Sequence, residues 1–221
     1  MDPPTGDVEP ISAAVLAGGQ SRRMGQDKAL LRLGDDEAPM LQVVLDRLGT
    51  IATERFIVAS GRPRYDQFAV PVIPDRYPSA ATLGGIATAL AVASNERCLV
   101  VGCDMPFLNR ELMRWMMGQA PDADIVIPVL PGESRQGSGM IYQTLHAIYR
   151  RTCLPAIERQ LAMGQRQVVR FFSEVRVHTI DSRAIERLDP DLRSFFNANT
   201  PEALDMARQM AREEKDLGAS V

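Results

Sequence analysis

The stretch Leu16-Ala17-Gly18-Gly19-Gln20-Ser21-Arg22-Arg23-Met24-Gly25-Gln26-Asp27-Lys28 gathers glycines and cationic side chains in one short segment. Glycine lets the backbone come close to a ligand and turn its N–H groups toward phosphate oxygens. Arg22, Arg23 and Lys28 supply the positive charge that a polyphosphate needs. The spacing is not G-x-G-x-x-G, so a dinucleotide site is not indicated. Lys28 is followed by Ala29, which disfavours a Walker-type ATPase as well. A Gly-Gly pair after a strand ordinarily marks a turn and nothing more. Here glycines, cations and a strand end coincide, and that favours a phosphate cradle.

Asp104 is the second residue of interest, in Val101-Gly102-Cys103-Asp104-Met105-Pro106. A carboxylate directly after a fully apolar strand is well placed to hold a cation. Mg²⁺ needs only one or two carboxylates when phosphate oxygens and water complete its shell. The competing role, capping the next helix, is better filled by Asn109. Asp75, after Val72-Ile73-Pro74, reads equally well as a surface turn residue. Asn199, before Thr200-Pro201, is first of all an ordinary helix-start residue. His146 beside an apolar run is more often a structural histidine than a catalyst. His178 sits in an alternating strand and carries no signal. Arg135 and Gln136, ahead of Gly137-Ser138-Gly139, are candidates for contact with an anionic acceptor.

These residues need a frame that brings them to one edge. Ile11 to Leu16 reads as a buried strand feeding the glycine loop. Further strands are expected at 55–59, 70–73, 98–103, 124–130 and 175–180. Helices are expected at 40–48, 83–94, 111–119 and 150–163, with a last one opened by Thr200-Pro201-Glu202. Strands separated by helices predict a mostly parallel sheet wrapped on both sides. In such sheets ligands gather at the carboxyl ends of the strands. Residues 1–10 read as a disordered leader, 11–211 as one domain and 212–221 as a flexible tail.

Composition narrows the classes. With 221 residues, 45% of them hydrophobic, the chain can build one well-formed core. A net charge of −3 with both signs interspersed gives no drive toward nucleic acid. Of the 25 basic residues only Lys28 and Lys215 are lysines, so Lys28 stands alone in the body of the chain. No apolar run is long enough for a membrane span, and the acidic, proline-rich start lacks the form of a secretory signal. Cys98, Cys103 and Cys153 form no CxxC pair, which suits reduced thiols. A cytoplasmic protein without a membrane or nucleic-acid partner is expected.

The glycine loop resembles the fingerprint of the MobA-like nucleotidyltransferase family, LAGGxSxRMGxDK, with every defined position present. The resemblance spans about residues 11 to 208. It implies a three-layer Rossmann-like nucleotidyltransferase fold. The backbone of Leu16, Ala17 and Gly18 would meet the base, while Gly19, Arg23 and Lys28 would surround the triphosphate. Asp104 falls on the family's magnesium-binding aspartate, Asp75 on an aspartate near the nucleoside, and Asn199 on a residue that completes the metal site in related transferases. Gln143-Thr144-Leu145-His146-Ala147 is similar to a segment of the family's molybdenum-cofactor guanylyltransferase branch. That branch implies GTP as donor and the terminal phosphate of molybdenum-bound molybdopterin as acceptor. Mg²⁺ would be the cofactor, and molybdoenzymes or other cofactor-synthesis proteins the macromolecular partners. Arg23, Lys28 and Asp104 would then be the catalytic set. Ala81-Thr82 stands where the family has Gly-Pro, and Ala59-Ser60 lacks an Asn that some members use against guanine, so base selection is the least fixed property. The alternatives are a sister enzyme using CTP or another phosphorylated acceptor, and a non-catalytic nucleotide-binding carrier of the cofactor.

Overall fold

The computed structural model describes residues 9–18, 27–34, 38–60, 65–134 and 137–218. Gly19, Arg22 and Arg23 of the glycine loop lie outside the described residues, as do Arg135 and Gln136. In chain order the regular elements are β1 (Ile11–Leu16), α1 (Met40–Leu48), β2 (Glu54–Ala59), β3 (Val72–Pro74), α2 (Ala81–Val92), β4 (Arg97–Gly102) and α3 (Arg110–Met117). They continue with β5 (Ile125–Ser134), β6 (Gly137–Tyr142), β7 (His146–Arg150), α4 (Leu154–Ala162), β8 (Val177–Ile180), α5 (Ser182–Glu186) and α6 (Pro201–Gly218).

The strands form one sheet in the order β3-β2-β1-β4-β7-β5-β6, with β8 also pairing β5. β1, β2, β3 and β4 pair in parallel. β7 is antiparallel to both β4 and β5, so β5 runs the same way as β4, and β8 follows it. Only β6 and β7 run the other way. The sheet is therefore mostly parallel, and its one-directional half, β3 to β4, carries the candidate residues.

Alternation along the central strands divides the core into two layers. Ala13 and Val15 of β1 and Leu99 and Val101 of β4 face Leu41, Val44 and Leu45 of α1 and Leu112, Met113 and Met116 of α3. Ala14, Cys98 and Val100 face Leu83, Ile86 and Leu90 of α2 and Ile157 of α4. This is the expected three-layer arrangement. β4 is buried along its whole length, as the apolar run after Arg97 requires.

Four elements differ most from expectation. The helix expected from Arg150 begins only at Leu154, because Pro155 is tolerated in a first turn but not in a helix interior. The residues before it, His146 to Arg150, instead fill the gap between β4 and β5 as a strand. β6 was hidden by Gly137-Ser138-Gly139, which has the composition of a loop but pairs as a strand with β5. The last helix continues to Gly218, through the segment from Arg212 expected as a tail. Arg47 holds Glu214 at 2.7 Å and Arg193 holds Glu213 at 3.3 Å, which ties that stretch to the body of the protein.

Ala81, at the start of α2, has φ 50° and ψ −135°, a region that glycine occupies and an L side chain resists. It is the position at which the resembled family pattern has Gly. Ala81→Gly is expected to stabilise the fold by about 1 kcal/mol, after the entropy glycine adds to the unfolded chain. A thermal melt should move up by about 2–4 °C; a lower midpoint would show the turn to be unstrained.

Candidate active site

β1 and β4 are direct neighbours in register, Leu16 beside Gly102, so the glycine loop and Asp104 leave the sheet side by side. The Cys103 N–H donates to the Leu16 carbonyl at 3.2 Å and the Ala17 N–H to the Val58 carbonyl at 2.9 Å, which fixes both exits. Ala17 is buried and Gly18 is exposed. A Cβ on Gly18 would meet only Ser60 N at 3.8 Å and Ala59 Cα at 4.0 Å, ordinary contacts, and its φ is not left-handed. The fold itself does not require glycine there.

The described chain resumes at Asp27. Its carboxylate accepts from the Ala29 N–H at 3.2 Å and caps a short 3-10 turn, Lys28–Leu30. From this turn Lys28 Nζ reaches Asp104 Oδ2 at 3.5 Å. Both side chains keep some solvent contact, 24% for Lys28 and 20% for Asp104, so the pair lies at an open edge and remains available to a ligand. Residues 76 apart in sequence thus meet. Asn109 does cap α3, accepting from the Glu111 and Leu112 N–H groups, which leaves the Asp104 carboxylate uncommitted to that helix.

Gly102 explains how Asp104 is aimed. A Cβ on Gly102 would stand 2.7 Å from Asp104 Oδ1, so the carboxylate rests in the space that glycine leaves. The segment before α6 joins the same place. The Ala198 N–H donates to the Asp104 carbonyl at 2.9 Å, and exposed Asn199 follows directly. Thr200 caps α6 through the Ala203 N–H at 3.1 Å. Asp75 lies across the edge after β3, half-buried. Its Oδ1 accepts from the Tyr77 N–H at 2.9 Å and the Thr88 hydroxyl at 3.0 Å, so the turn role weighed from sequence is realised.

His146 is fully enclosed. It pairs with Val101 of β4, and its ring stacks on Phe195 with centroids 4.7 Å apart. Neither ring nitrogen reaches hydrogen-bonding geometry with a described residue. Burial brings its pKa down to about 4, against weaker opposing pulls from the Ser194 backbone and Asp189. A neutral, enclosed ring has a packing role: it supports the Phe195 segment that leads to Ala198 and Asn199.

The sequence singled out Lys28 and Asp104 separately, and the fold brings the two into contact, with Ala198, the neighbour of Asn199, docked on the Asp104 carbonyl. It did not single out Gly102 or Tyr65, whose hydroxyl donates to Asp27 Oδ2 at 2.8 Å. Gly102, two residues ahead of the candidate Asp, was legible as a place of close approach; Tyr65 carried no local signal. A groove of about 1220 Å³ lies elsewhere, between α1 and α3, and none of these residues lines it. Its Arg110 and Arg114 are engaged with the Asp46 and Arg47 carbonyls and the Thr50 hydroxyl at the end of α1.

A mostly parallel sheet with a glycine loop at the end of β1 and a cation–carboxylate pair at its carboxyl edge is the layout of an α/β nucleotidyltransferase. The MobA-like NTP transferase domain family matches residues 13–179. A probable molybdenum cofactor guanylyltransferase of Pelotomaculum thermopropionicum is 36% identical, over 92% of this chain and 95% of that protein. The molybdenum cofactor guanylyltransferase of Desulfosudis oleivorans is 31% identical, over 90% and 95%. Among solved structures, molybdopterin-guanine dinucleotide biosynthesis protein A of Archaeoglobus fulgidus shares the fold with a TM-score of 0.76, at 24% identity over 91% of this chain and 99% of that one. The chain belongs to the MobA-like NTP transferase family and is a nucleotidyltransferase.

Proposed function

We propose that the protein transfers GMP from GTP to the terminal phosphate of molybdenum-bound molybdopterin and releases pyrophosphate. The observation that carries this reading is the meeting of Lys28 and Asp104 at the carboxyl edge of the sheet, where β1 and β4 end side by side. The names of the two relatives cited above, a probable molybdenum cofactor guanylyltransferase and a molybdenum cofactor guanylyltransferase, support this choice of substrates. An acceptor phosphate oxygen bonds to the α-phosphorus as the bond from that phosphorus to the bridging oxygen breaks, and pyrophosphate leaves as an anion. The attacking group is already anionic, so no strong base is needed. Catalysis is then a matter of alignment and charge neutralisation.

Lys28, with Arg23, holds the leaving pyrophosphate, and the backbone of Leu16, Ala17, Gly18 and Gly19 meets the nucleotide. Asp75 stands by the nucleoside. Asp104 and Asn199 offer a carboxylate and an amide oxygen on adjoining segments, an all-oxygen set that suits Mg²⁺. No cluster of three or more His, Cys, Asp or Glu stands among the described residues, so phosphate oxygens and water would complete the shell. Bound there, Mg²⁺ would supply neutralisation of phosphate charge. Three free thiols, two of them buried, suit the reducing cytoplasm. Macromolecular partners would be the molybdoenzymes or cofactor-synthesis proteins that take the product.

The test compares pyrophosphate release from GTP and CTP with molybdopterin present. GTP is expected to be preferred by about 10²-fold. Turnover of CTP alone would replace the guanylyl reading with the cytidylyl one.

A further inference from the structure

We infer that Tyr65 is a positioning residue that sets Lys28 against Asp104, an inference that rests on reading this edge as a nucleotidyl-transfer site. Tyr65 lies in the turn between β2 and β3, 4% exposed. The Phe68 N–H donates to its carbonyl at 3.0 Å, and the Phe68 ring lies 6.4 Å from its own. Packing there asks only for an aromatic ring. The hydroxyl is a polar atom carried into the core, and it has to be satisfied. It donates to Asp27 Oδ2 at 2.8 Å.

Asp27 divides its two oxygens. Oδ2 takes the Tyr65 hydroxyl, and Oδ1 takes the Ala29 N–H at 3.2 Å, capping the turn that carries Lys28. Ala29 is fully buried in the same core layer as Tyr65. On the far side of the turn the Met40 N–H donates to the Leu31 carbonyl at 2.8 Å. The turn is thus pinned on both sides, with the Tyr65 hydroxyl fixing the carboxylate that pins one of them. Lysine is a flexible point charge on a long stem, so the position of its backbone decides how much of its charge stands at one place. With the turn fixed, Nζ reaches Asp104 Oδ2 at 3.5 Å. Without the hydroxyl, the Asp27 carboxylate loses that anchor, and the end of the turn that carries Lys28 is held less firmly.

A double-mutant cycle on turnover tests this. Tyr65→Phe removes one oxygen and keeps the packed ring. It is expected to lower kcat about tenfold with little change in KM for the triphosphate, because the charge Lys28 meets grows as pyrophosphate leaves. Lys28→Ala is expected to lower kcat about 10²-fold. The double variant should match Lys28→Ala within about twofold, since Tyr65 acts through Lys28. A purely structural Tyr65 would multiply the two losses, and that result overturns the inference, as would unchanged kcat in Tyr65→Phe. Wild-type protein that turns over neither GTP nor CTP overturns the functional reading instead. Thermal unfolding of each variant confirms that folded protein is compared.

Discussion

Asp104→Ala is expected to lower the rate of pyrophosphate release by about 10³-fold while the fold persists. The size follows from the place of the carboxylate. It is the described acid that faces Lys28, no cluster of three or more His, Cys, Asp or Glu stands among the described residues, and on the proposed function it is the carboxylate that would hold the cation. Retention of the fold follows from what the side chain does not hold. The segment before α6 docks on the backbone carbonyl of residue 104 through the Ala198 N–H, a bond that alanine keeps. Asn109, not Asp104, caps α3. The ion pair that is lost is partly exposed, at 3.5 Å, and such pairs contribute under about 1 kcal/mol. Gly102→Ala sharpens the test because the charge is unchanged. Its Cβ would stand 2.7 Å from Asp104 Oδ1 and 3.5 Å from Met105, so the carboxylate must turn away. A displacement of about 1 Å is enough to cost about 10²-fold. Initial rates with GTP, read beside a thermal melt, check both. Wild-type rates in Asp104→Ala would remove this residue from the mechanism.

The largest loss of stability is expected away from the site, from Asp124→Ala, at about 3 kcal/mol. Asp124 is 9% exposed and joins three elements at the other end of the sheet. Its Oδ1 accepts from the Thr152 hydroxyl at 2.7 Å and its Oδ2 from the Arg176 N–H at 2.9 Å. Thr152 precedes α4 and Arg176 precedes β8, so alanine would remove the carboxylate that ties the starts of both elements to β5. The Arg176 side chain is 67% exposed, and its ion pair adds little. Burial by itself would raise the Asp124 pKa. Hydrogen bonds from the Arg176 side chain, the Thr152 hydroxyl and the Arg176 backbone outweigh it and bring the value to about 2, from 3.8. Because the folded value is the lower one, this stabilisation is complete above the unfolded pKa and is lost as pH falls from near 4 toward 2. Linkage makes it about 2 kcal/mol. Urea midpoints of the wild type and Asp124→Asn should therefore converge as pH is lowered from 6 toward 2. A gap that stays constant with pH would deny the carboxylate its ionised role.

The glycine loop, the lone Lys28 and the Asp after an apolar strand were readable because each is a local signal. A strand end, a close backbone approach and a cation need only neighbours in sequence. The alternating strands and helices likewise predicted a mostly parallel sheet, and β4 declared itself by an apolar run buried on both faces. The antiparallel β7 was hidden ahead of a helix expected from Arg150, since five residues between two strands, four of them buried in a row, carry no distinguishing period.

What only the tertiary structure decided is which of the distant residues meet. Strand register sets Leu16 beside Gly102, and that adjacency joins the loop from β1 to Asp104. The backbone bond from Ala198 brings Asn199 to the same edge, and no side chain announces it. Tyr65 carried no sign of its role, because its ring satisfies any core pattern and its hydroxyl matters only where Asp27 stands. Sequence alone thus determined the chemistry of the parts, since residue type and local spacing fix what a group can do. Their assembly was decided by long-range pairing, which short-range patterns do not encode.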